Sequence, residues 1–515
     1  LFTGGIDRIF TVPICECEKE KPEYQTDMIN KLICLYLDFE EVSAEVRDIV
    51  NVYRYGEVLY KKQKLKDYHA ELYKHTKVGE FVHVSDSAQL PTIIDKLRHD
   101  KEAFVILHHS SFAITLPEDF TLFIEKVRYL GVSLSISDYD QQKGFVLANA
   151  PTAIEALEKM EKDPQKAGQI LETEVEVEEK FKLEMFYKTI RTSVEFIAFL
   201  HTNFEARHFN SIQKDELFIT KRSSNLQKIE KEFLYYTFLP DELKVFFLKP
   251  IHLEKYADWY SYKLEKLNIP DVSILWLHSS FTAKDFAMLL DKLFLFLEKR
   301  PTKSVPKEGQ EKVTTQFYIK KVADRIAELK EKTEYSTLAN ILRNSTSFGS
   351  IDNLFSQYQS KLYQLLQSKS YHPTLALSHG DLCASNMLYD KRISMLKLID
   401  PRGADTKEEL FFDSYYDLCK LSHSILGDYD LINNGLFELT YKSNMQIELK
   451  LDTLPNKELY QKQFLDKLRH YQLDYELVRI FEVSLFISML PLHIDNPKKV
   501  LAFVLNAAQI LNQIK

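Results

Sequence analysis

Short apolar runs alternate with amphipathic stretches through the first 160 residues of the chain. Apolar positions follow helical spacing at 90–98 and at 118–129, and the second of these helices is preceded by Thr115-Leu116-Pro117. Strands that alternate with helices are typical of parallel sheets. The pattern therefore predicts that residues 1–160 form an α/β domain with a mostly parallel sheet. Four apolar runs have the length of strands: 81–84, 103–107, 132–136 and 145–148.

Charged residues dominate the chain from 158 to 184. The apolar spacing that follows, from 182 to 204, predicts one amphipathic helix. We interpret residues 161–205 as a charged linker with a helix.

The remaining residues fall into a part with strands and a part made mainly of helices. Within 206–300 the pattern predicts a two-stranded ribbon over 207–224, a helix over 227–236, and strands at 246–248 and 260–264. A polar stretch at 301–315 predicts a loop between the two parts. Helices are predicted at 317–332, 337–344, 351–368 and 414–424, and from 457 to the end.

Candidate chemistry is concentrated in SHGDLCASN at 378–386 and LKLID at 396–400. Asp381 is followed five positions later by Asn386, and Asp400 closes an apolar run that predicts a strand. Protein kinases place an Asp, an Asn and a second Asp in the same order. Asp381 would orient an acceptor hydroxyl and take its proton, whereas Asn386 and Asp400 offer the oxygen ligands that Mg²⁺ prefers. The stretch predicts phosphoryl transfer from a nucleotide.

The HGDL motif at 379–382, with Asn386 and the IDP that begins at 399, resembles the aminoglycoside phosphotransferase and choline kinase superfamily, the small-molecule branch of the kinase-like fold. The longer runs HGDLCASNMLYD, LKLIDPRG and YYDLCKLSHSILGDYD are similar to phosphotransferase domains encoded with bacterial capsule and surface-polysaccharide genes. The resemblance extends from about residue 181 to the C-terminus and is strongest in the catalytic loop. It implies an α+β bilobal kinase-like domain, with an N-lobe at 206–300 and a mainly helical C-lobe at 301–515.

The resemblance also implies residues that hold the nucleotide. In the kinase-like fold a strand lysine binds the phosphates and pairs with a glutamate on the next helix. These roles fall to Lys221 and Glu232, with Glu230 as the alternative glutamate. A hinge near 265–267 would meet the adenine. The competing interpretation is that both charged residues lie on the surface.

Three further residues are expected to support the catalytic loop. His379 would serve as a packed, hydrogen-bonding strut, and Asp417 in the YDL at 416–418 would brace the loop. A solvated acid is the alternative interpretation of Asp417. Arg402 follows Asp400 closely and could touch phosphate or substrate.

Glycine is scarce, with 13 in 515 residues, and there is neither GxGxxG nor GxxxxGK[ST]. The sequence therefore excludes a P-loop and a standard dinucleotide fingerprint. The ribbon turn at 211–216 contains no glycine, although a loop that covers phosphates normally needs it. This departure leaves both ATP and GTP open as the nucleotide.

The composition limits the classes of partner that we expect for this protein. A net charge of −8 gives no reason to expect a nucleic acid, and no apolar stretch is long enough to span a bilayer. Five scattered cysteines lack the spacing of a disulfide framework, and Cys15 and Cys17 have no second pair nearby for a metal site. A reducing cytoplasm fits these cysteines best. The resemblance of the catalytic motif implies a nucleotide and a small-molecule acceptor as partners.

The N-terminal part leaves several hypotheses open. Related capsule proteins place a nucleotidyltransferase-like domain before the kinase-like one, and residues 1–160 would be a degenerate relative because the Gly-rich strand–loop is missing. The triplet Asp138-Tyr139-Asp140 mimics a metal-binding Asp-x-Asp but is more typical of a solvated turn.

Three functions from different classes follow. The favoured one is an ATP- and Mg²⁺-dependent phosphotransferase acting on a hydroxyl of a sugar, an amino alcohol or a related surface-glycan precursor. The alternatives are a bifunctional kinase with nucleotidyl or glycosyl transfer, and a non-catalytic nucleotide-binding pseudokinase. The sequence sets neither the acceptor nor the oligomeric state.

Overall fold

The computed structural model describes residues 29–137, 143–182, 186–200, 210–215 and 217–514. We describe the chain in two parts, a first unit up to residue 200 and a second unit from residue 210, on either side of the undescribed residues 201–209. The elements of the first unit are β1 (Leu32–Leu37), α1 (Ala44–Ile49), β2 (Leu59–Tyr60), β3 (Gln63–Lys64), α2 (Leu65–Lys74), β4 (Glu80–Val84), α3 (Leu90–Arg98), β5 (Phe104–His109), β6 (Phe112–Ile114), α4 (Pro117–Leu130), β7 (Leu134–Ser137), β8 (Lys143–Asn149), α5 (Ala150–Lys162), α6 (Ala167–Thr173), β9 (Glu179–Lys182), β10 (Tyr187–Thr189) and α7 (Ser193–Leu200).

The main sheet of the first unit has the strand order β4-β1-β5-β8-β7-β9. The four strands predicted from apolar runs are confirmed as β4, β5, β7 and β8. The predicted parallel arrangement is present in part: β1 runs parallel to β4 and β5, and β7 runs parallel to β9. The sheet is nevertheless mixed, because β8 runs antiparallel to both β5 and β7. Only five residues, 138–142, separate β7 from β8, which is too few for a crossover helix that would return the chain in the parallel direction.

Residues 161–200 complete the first unit. β9 pairs with β7 at the edge of the main sheet, and β10 pairs with β6. The single helix expected over 182–204 is therefore wrong, and α7 is the described helix of this segment. Because β9 and β10 depend on strands earlier in the chain, we propose a unit boundary after α7 and not at residue 160.

The second unit starts with strands and continues mainly as helices. Its elements are β11 (Asn210–Lys214), β12 (Phe218–Ser223), α8 (Leu226–Phe238), α9 (Asp241–Lys244), β13 (Ile251–Lys255), β14 (Tyr260–Glu265), α10 (Val272–Leu277), α11 (Ala283–Lys299), β15 (Thr302–Ser304), α12 (Lys307–Thr314), α13 (Lys321–Lys330), α14 (Tyr335–Ser345), α15 (Ile351–Ser368), β16 (Thr374–Leu377), β17 (Met387–Asp390), β18 (Met395–Leu398), β19 (Phe411–Asp413), α16 (Tyr415–Ile425), α17 (Tyr429–Asn433), β20 (Phe437–Tyr441), β21 (Ile447–Leu451), α18 (Lys457–His470), α19 (Tyr475–Ser488) and α20 (Pro497–Gln513).

The strand-rich part is an antiparallel sheet with the order β11-β12-β14-β13, flanked by α8. The predicted ribbon is confirmed as β11 and β12, and the predicted strand at 260–264 as β14. The strand expected at 246–248 is wrong: Phe247 makes one isolated bridge to Leu398. Its ring lies 5.9 Å from that of His379, so this apolar run packs on the catalytic part of the chain.

The helical part contains more regular structure than the sequence indicated. The loop expected at 301–315 holds β15 and α12, and a π-helical turn, Thr315–Lys320, connects α12 to α13. The helices predicted over 337–344, 351–368 and 414–424 correspond to α14, α15 and α16. Within the described ranges, no helix combines the length and the apolar composition needed to cross a bilayer.

One apolar cluster is shared by the two units. It joins Tyr60 and Phe199 of the first unit to Trp276 and Leu290 of the second. A second cluster is built from α13, α15, α19 and α20 and includes Phe503. Lys391 adds polar contacts between the two units. Its ammonium donates to the carbonyl of Ser280 at 2.9 Å and pairs with Asp48 of the first unit at 3.3 Å.

Because the first cluster is shared, we expect Trp276→Ala to loosen both units. Removing the ring should lower the free energy of unfolding by about 3–5 kcal/mol and reduce the hydrogen-exchange protection of α1 and α2. Phe503→Ala, in the second cluster, is the control and should leave the exchange of α1 and α2 close to that of the wild type. Equal loss of protection in both variants would contradict a shared core.

Candidate active site

The catalytic loop, residues 378–386, runs from the end of β16 to the start of β17. Gly380 lies in the left-handed region, at φ 80°, and an added Cβ would approach the Cβ of Arg402 to 2.7 Å. The Asp417 carboxylate, from α16, accepts the backbone N–H groups of His379 at 2.9 Å and Gly380 at 2.8 Å. A glycine and a buried carboxylate thus set the backbone of this loop.

Asp417 in turn pairs with a buried arginine. Arg300, at the end of α11, donates to the Asp417 carboxylate at 2.9 Å and to the carbonyl of Ser414 at 3.1 Å. Both charged side chains are buried. Sequence analysis did not identify Arg300, because nothing in the motif indicates that the end of α11 faces α16.

His379 is fully buried and links the loop to the chain before Asp400. Its Nε2 is 3.0 Å from the carbonyl of Ile399, and its Nδ1 accepts the N–H of Asp381 at 3.2 Å. Burial lowers the pKa of the imidazole, so the neutral form makes both contacts. The ring therefore fixes the spacing between Asp381 and Asp400.

Asp381 lies between a cation and an amide. The Lys420 ammonium is 2.8 Å from one carboxylate oxygen, and the Asn386 amide donates to the other at 3.2 Å and to the Asp381 carbonyl at 2.9 Å. Burial raises the pKa of Asp381, but Lys420 outweighs burial and holds it at about 2. Asp381 is thus a stable anion whose side chain keeps 45% of its surface exposed.

Lys420 was missed by sequence analysis. It lies three positions after Asp417, so the same helix, α16, braces the loop with one residue and supplies a cation with the other. Three positions apart on a helix is the spacing of neighbouring side chains. That spacing was the available signal.

Lys221 connects the strand-rich part to Asp400. Its ammonium, on β12, is 2.6 Å from the carboxylate of Glu232 on α8 and 2.9 Å from that of Asp400. Burial would lower the pKa of Lys221, but the two carboxylates raise it, so the lysine remains charged. The Tyr262 hydroxyl donates to Glu232 at 2.9 Å. Glu230, the alternative glutamate, pairs instead with Lys255.

The chemistry of Asn386 and Asp400 fits a magnesium ion. The Asn386 amide nitrogen is engaged by Asp381, which leaves its oxygen without a donor among the described residues. Asp400 lies just after β18 with its side chain 46% exposed. No group of three His, Cys, Asp or Glu residues that could hold a metal is found within the described ranges. Two oxygen ligands are nevertheless the usual contribution of a protein to Mg²⁺, whose other ligands are waters and substrate phosphates.

A small apolar cluster flanks the expected hinge. Leu248, Ile269 and Leu388 are its buried members, and Ile399, next to Asp400, packs against them. The cluster joins the end of β14 to β17, and apolar side chains of this kind line most ligand pockets. A planar base would meet apolar surface here.

In the ribbon turn between β11 and β12, two of the described amides are already bonded. The Asp215 carboxylate accepts the N–H groups of Leu217 at 2.9 Å and Phe218 at 2.6 Å. Two amides that could cover a phosphate are therefore already bonded within the turn. Lys221 is the phosphate-binding candidate that the geometry leaves in this part of the chain.

Arg402 lies beside the loop. Its N–H donates to the carbonyl of His379 at 2.9 Å, and its guanidinium lies 5.0 Å from the centre of the Phe412 ring. The Arg402 side chain is exposed. Some residues that the sequence analysis considered lie outside the described residues: Cys15, Cys17, Asp138, Asp140 and Glu216 of the ribbon turn.

No family model and no curated protein matches this chain. Among solved structures, it is similar to a thermostable mutant of the aminoglycoside phosphotransferase APH(4)-Ia, with a TM-score of 0.36 and 10% identity over 61% of this chain and 98% of the other. It is also similar to glucosamine kinase in complex with glucosamine, ADP and inorganic phosphate, with a TM-score of 0.39 and 12% identity over 59% of this chain and 80% of the other.

A third similar structure is an aminoglycoside-3'-phosphotransferase of type VIII, with a TM-score of 0.32 and 14% identity over 55% of this chain and 94% of the other. The three names are those of small-molecule phosphotransferases, the class that the catalytic motif resembles.

We expect Asp417→Asn to destabilise the protein strongly. The substitution leaves the Arg300 guanidinium buried without an anion, which costs about 3–5 kcal/mol. Urea unfolding followed by circular dichroism measures the loss. Asp405→Asn is the control, since Asp405 pairs with Lys231 at the surface and such pairs contribute about 0–1 kcal/mol. Similar losses in the two variants would show that the buried pair does not support the loop.

Proposed function

We propose that the second unit is a nucleotide-dependent phosphotransferase that phosphorylates a hydroxyl of a small polar molecule. One observation carries the proposal: the Lys221 ammonium bonds both Glu232 and Asp400, at 2.6 and 2.9 Å. Kinase-like enzymes need the lysine–glutamate pair and the metal-binding Asp in place together before phosphoryl transfer occurs. Because Lys221 contacts both carboxylates, the lysine–glutamate pair and the metal-binding Asp are in place in the same arrangement, which supports the proposal.

The roles of the loop residues follow from their charges. Asp381 carries a free anionic edge and would accept a hydrogen bond from the attacking hydroxyl, which points an oxygen lone pair at the phosphorus. Lys420 keeps this carboxylate ionised, and Asn386 fixes its orientation. His379, Asp417 and Arg300 would act through the loop and not on the substrate.

Asn386 and Asp400 would hold Mg²⁺, which when bound neutralises charge on the phosphates and lowers the cost of transfer. Lys221 would bind the phosphates of the nucleotide. The apolar cluster of Leu248, Leu388 and Ile399 would contact its base. ATP is the favoured nucleotide and GTP the alternative.

The resemblance of the motif to capsule and surface-polysaccharide proteins supports a precursor of a bacterial surface glycan as the acceptor, made in the cytoplasm where nucleoside triphosphate is supplied. Sugars and amino alcohols both offer a hydroxyl to Asp381. A screen of such compounds for ATP-dependent phosphorylation tests this part of the proposal.

Nucleotide binding is tested by thermal unfolding with ATP and GTP, each with and without Mg²⁺. A ligand that binds only the folded state stabilises it by about 2.7 kcal/mol at 100 times its dissociation constant. We expect a Mg²⁺-dependent rise in melting temperature that is lost in Asp400→Ala. Asp405→Ala, an exposed acid nearby, should retain the rise. No rise with either nucleotide would overturn the proposal.

The pH dependence of transfer tests the role of Lys420. Activity requires ionised Asp381, so it is lost as the pH falls through the pKa of that group. With Lys420 present this pKa is about 2; without Lys420, the effect of burial is less opposed and the pKa rises. We expect Lys420→Met to shift the acid limb of kcat/KM to higher pH, whereas Lys420→Arg keeps the cation and the wild-type profile. Coincident profiles for Lys420→Met and the wild type, measured from pH 4 to 8, would contradict this role.

A further inference from the structure

A cavity of about 920 Å³ lies along α12, the π-helical turn and α13. Lys321, the first residue of α13, forms part of its wall. The Lys321 ammonium donates to the Tyr416 hydroxyl at 2.5 Å, and Tyr416 lies on α16, four positions before Lys420. Residues four apart on a helix are neighbours. Lys321 therefore links the wall of the cavity to the face of α16 that carries Lys420.

The charged side chains of the cavity are not all neutralised. Lys320 pairs with Asp324 at 2.7 Å, and Arg325 pairs with Glu328 at 2.5 Å. Lys321 has no carboxylate within 4.0 Å among the residues that the structure describes, and its bonding partner is the neutral Tyr416 hydroxyl. The remaining carboxylates of the wall, Glu308 and Glu311, lie exposed on α12.

A second cation without a carboxylate partner within the described ranges, Arg402, lies over the ring next to Tyr416. The Tyr416 and Phe412 rings are 5.2 Å apart, Lys321 lies 5.0 Å from the first, and Arg402 lies 5.0 Å from the second. Within the described part of the chain, Arg402 makes no ion pair. Two cations without a carboxylate partner among the described residues thus lie over two neighbouring rings.

The pKa of the Tyr416 hydroxyl reflects the charges that surround it. Burial raises the pKa of a phenol, yet the pKa of Tyr416 is lowered, because Lys321, Lys420 and Arg402 all act on it. The surroundings of Tyr416 therefore favour negative charge. A positive field beside exposed Asp381 would repel an amino alcohol or an amino sugar.

We propose that the acceptor carries an anionic group, a phosphate monoester or a carboxylate, which Lys321 and Arg402 bind while a hydroxyl of the same molecule meets Asp381. The inference rests on the proposed phosphotransferase function and narrows its substrate class. Lys321 acts on Asp381 and Tyr416, whereas Lys221 acts on Glu232 and Asp400. The two lysines thus belong to different ends of the site, with Lys221 left for the nucleotide.

The reaction is balanced without any further reactant. The acceptor oxygen forms a bond to the γ-phosphorus, and the bond from that phosphorus to the β,γ-bridging oxygen of the nucleotide breaks. The proton of the acceptor hydroxyl leaves to solvent by way of Asp381. The product carries two anionic groups.

The test compares matched acceptors in an assay of ADP release and product mass. The set is a neutral hexose, its 1-phosphate and 6-phosphate, the corresponding hexuronic acid, the hexosamine, and choline. We expect transfer to a sugar phosphate or a sugar acid at a kcat/KM at least about 10-fold above that of the neutral hexose, and less transfer to the cationic compounds. Preference for the phosphates over the acid, or the reverse, identifies the anionic group.

Lys321→Met should raise the KM for the anionic acceptor by about 10- to 100-fold, the range that a charge-assisted hydrogen bond provides. The KM for MgATP should change little, because Lys221 holds the nucleotide. Lys330→Met is the matched control: it removes a lysine from the same helix that pairs with Asp352 and lies outside the cavity. This variant should retain wild-type kinetics.

The outcomes separate the two proposals. Equal or better use of the neutral or cationic acceptors, or an unchanged KM in Lys321→Met, would overturn the anionic acceptor while leaving the phosphotransferase intact. Use of MgATP with water alone and with no anionic acceptor would overturn it as well. Absence of any MgATP binding would overturn the phosphotransferase itself. Binding of hexose 6-phosphate by calorimetry, lost in Lys321→Met, would still locate the anion site in that case.

Discussion

The buried carboxylate of Asp417 is the interaction on which the catalytic loop depends. It accepts two backbone N–H groups of the loop and the Arg300 guanidinium, so three donors converge on one side chain. A buried ion pair adds little net stability over an apolar pair, because desolvation offsets the attraction. Its geometry is nevertheless demanding, since every donor left unpaired in the interior costs free energy. The pair thus specifies one loop conformation, and Asp381 and His379 inherit their positions from it.

The charge of Asp381 favours orientation over strong base catalysis. A general base works best with a pKa near the operating pH, whereas Lys420 holds Asp381 at about 2. Phosphoryl transfer passes through a loose transition state in which the hydroxyl keeps its proton until late. Under those conditions a weakly basic anion that aligns the hydroxyl is sufficient. Lys420 also places a positive charge 2.8 Å from the Asp381 carboxylate.

The sequence predicted those parts of the site that lie close together along the chain. Asp381, Asn386 and Asp400 fall within 20 residues, and their spacing carries the chemistry. Helical periodicity distinguishes Glu232 from Glu230 as the partner of Lys221, because Ile229, Glu232 and Tyr235 are buried on one face of α8. The role of Arg300 is different, because it depends on the packing of α11 against α16, which no local pattern encodes.

The main sheet of the first unit also depends on contacts that no local sequence pattern predicts. The positions of β4, β5, β7 and β8 follow from their apolar runs, but a run of apolar residues has no direction. The direction of β8 is set by the short connection from β7, and the membership of β9 is set by pairing across the edge of the sheet.

The shared core gives the first unit a route to the catalytic loop. Tyr60 and Phe199 belong to the same apolar cluster as Leu290 and Phe294 of α11, and the N–H of Leu59 donates to His278 Nε2 at 3.1 Å. α11 ends at Arg300, the residue that braces Asp417. Close-packed interiors transmit displacement because they have few voids to absorb it. Packing of the first unit on this core therefore restrains α11, the helix whose end carries the partner of Asp417.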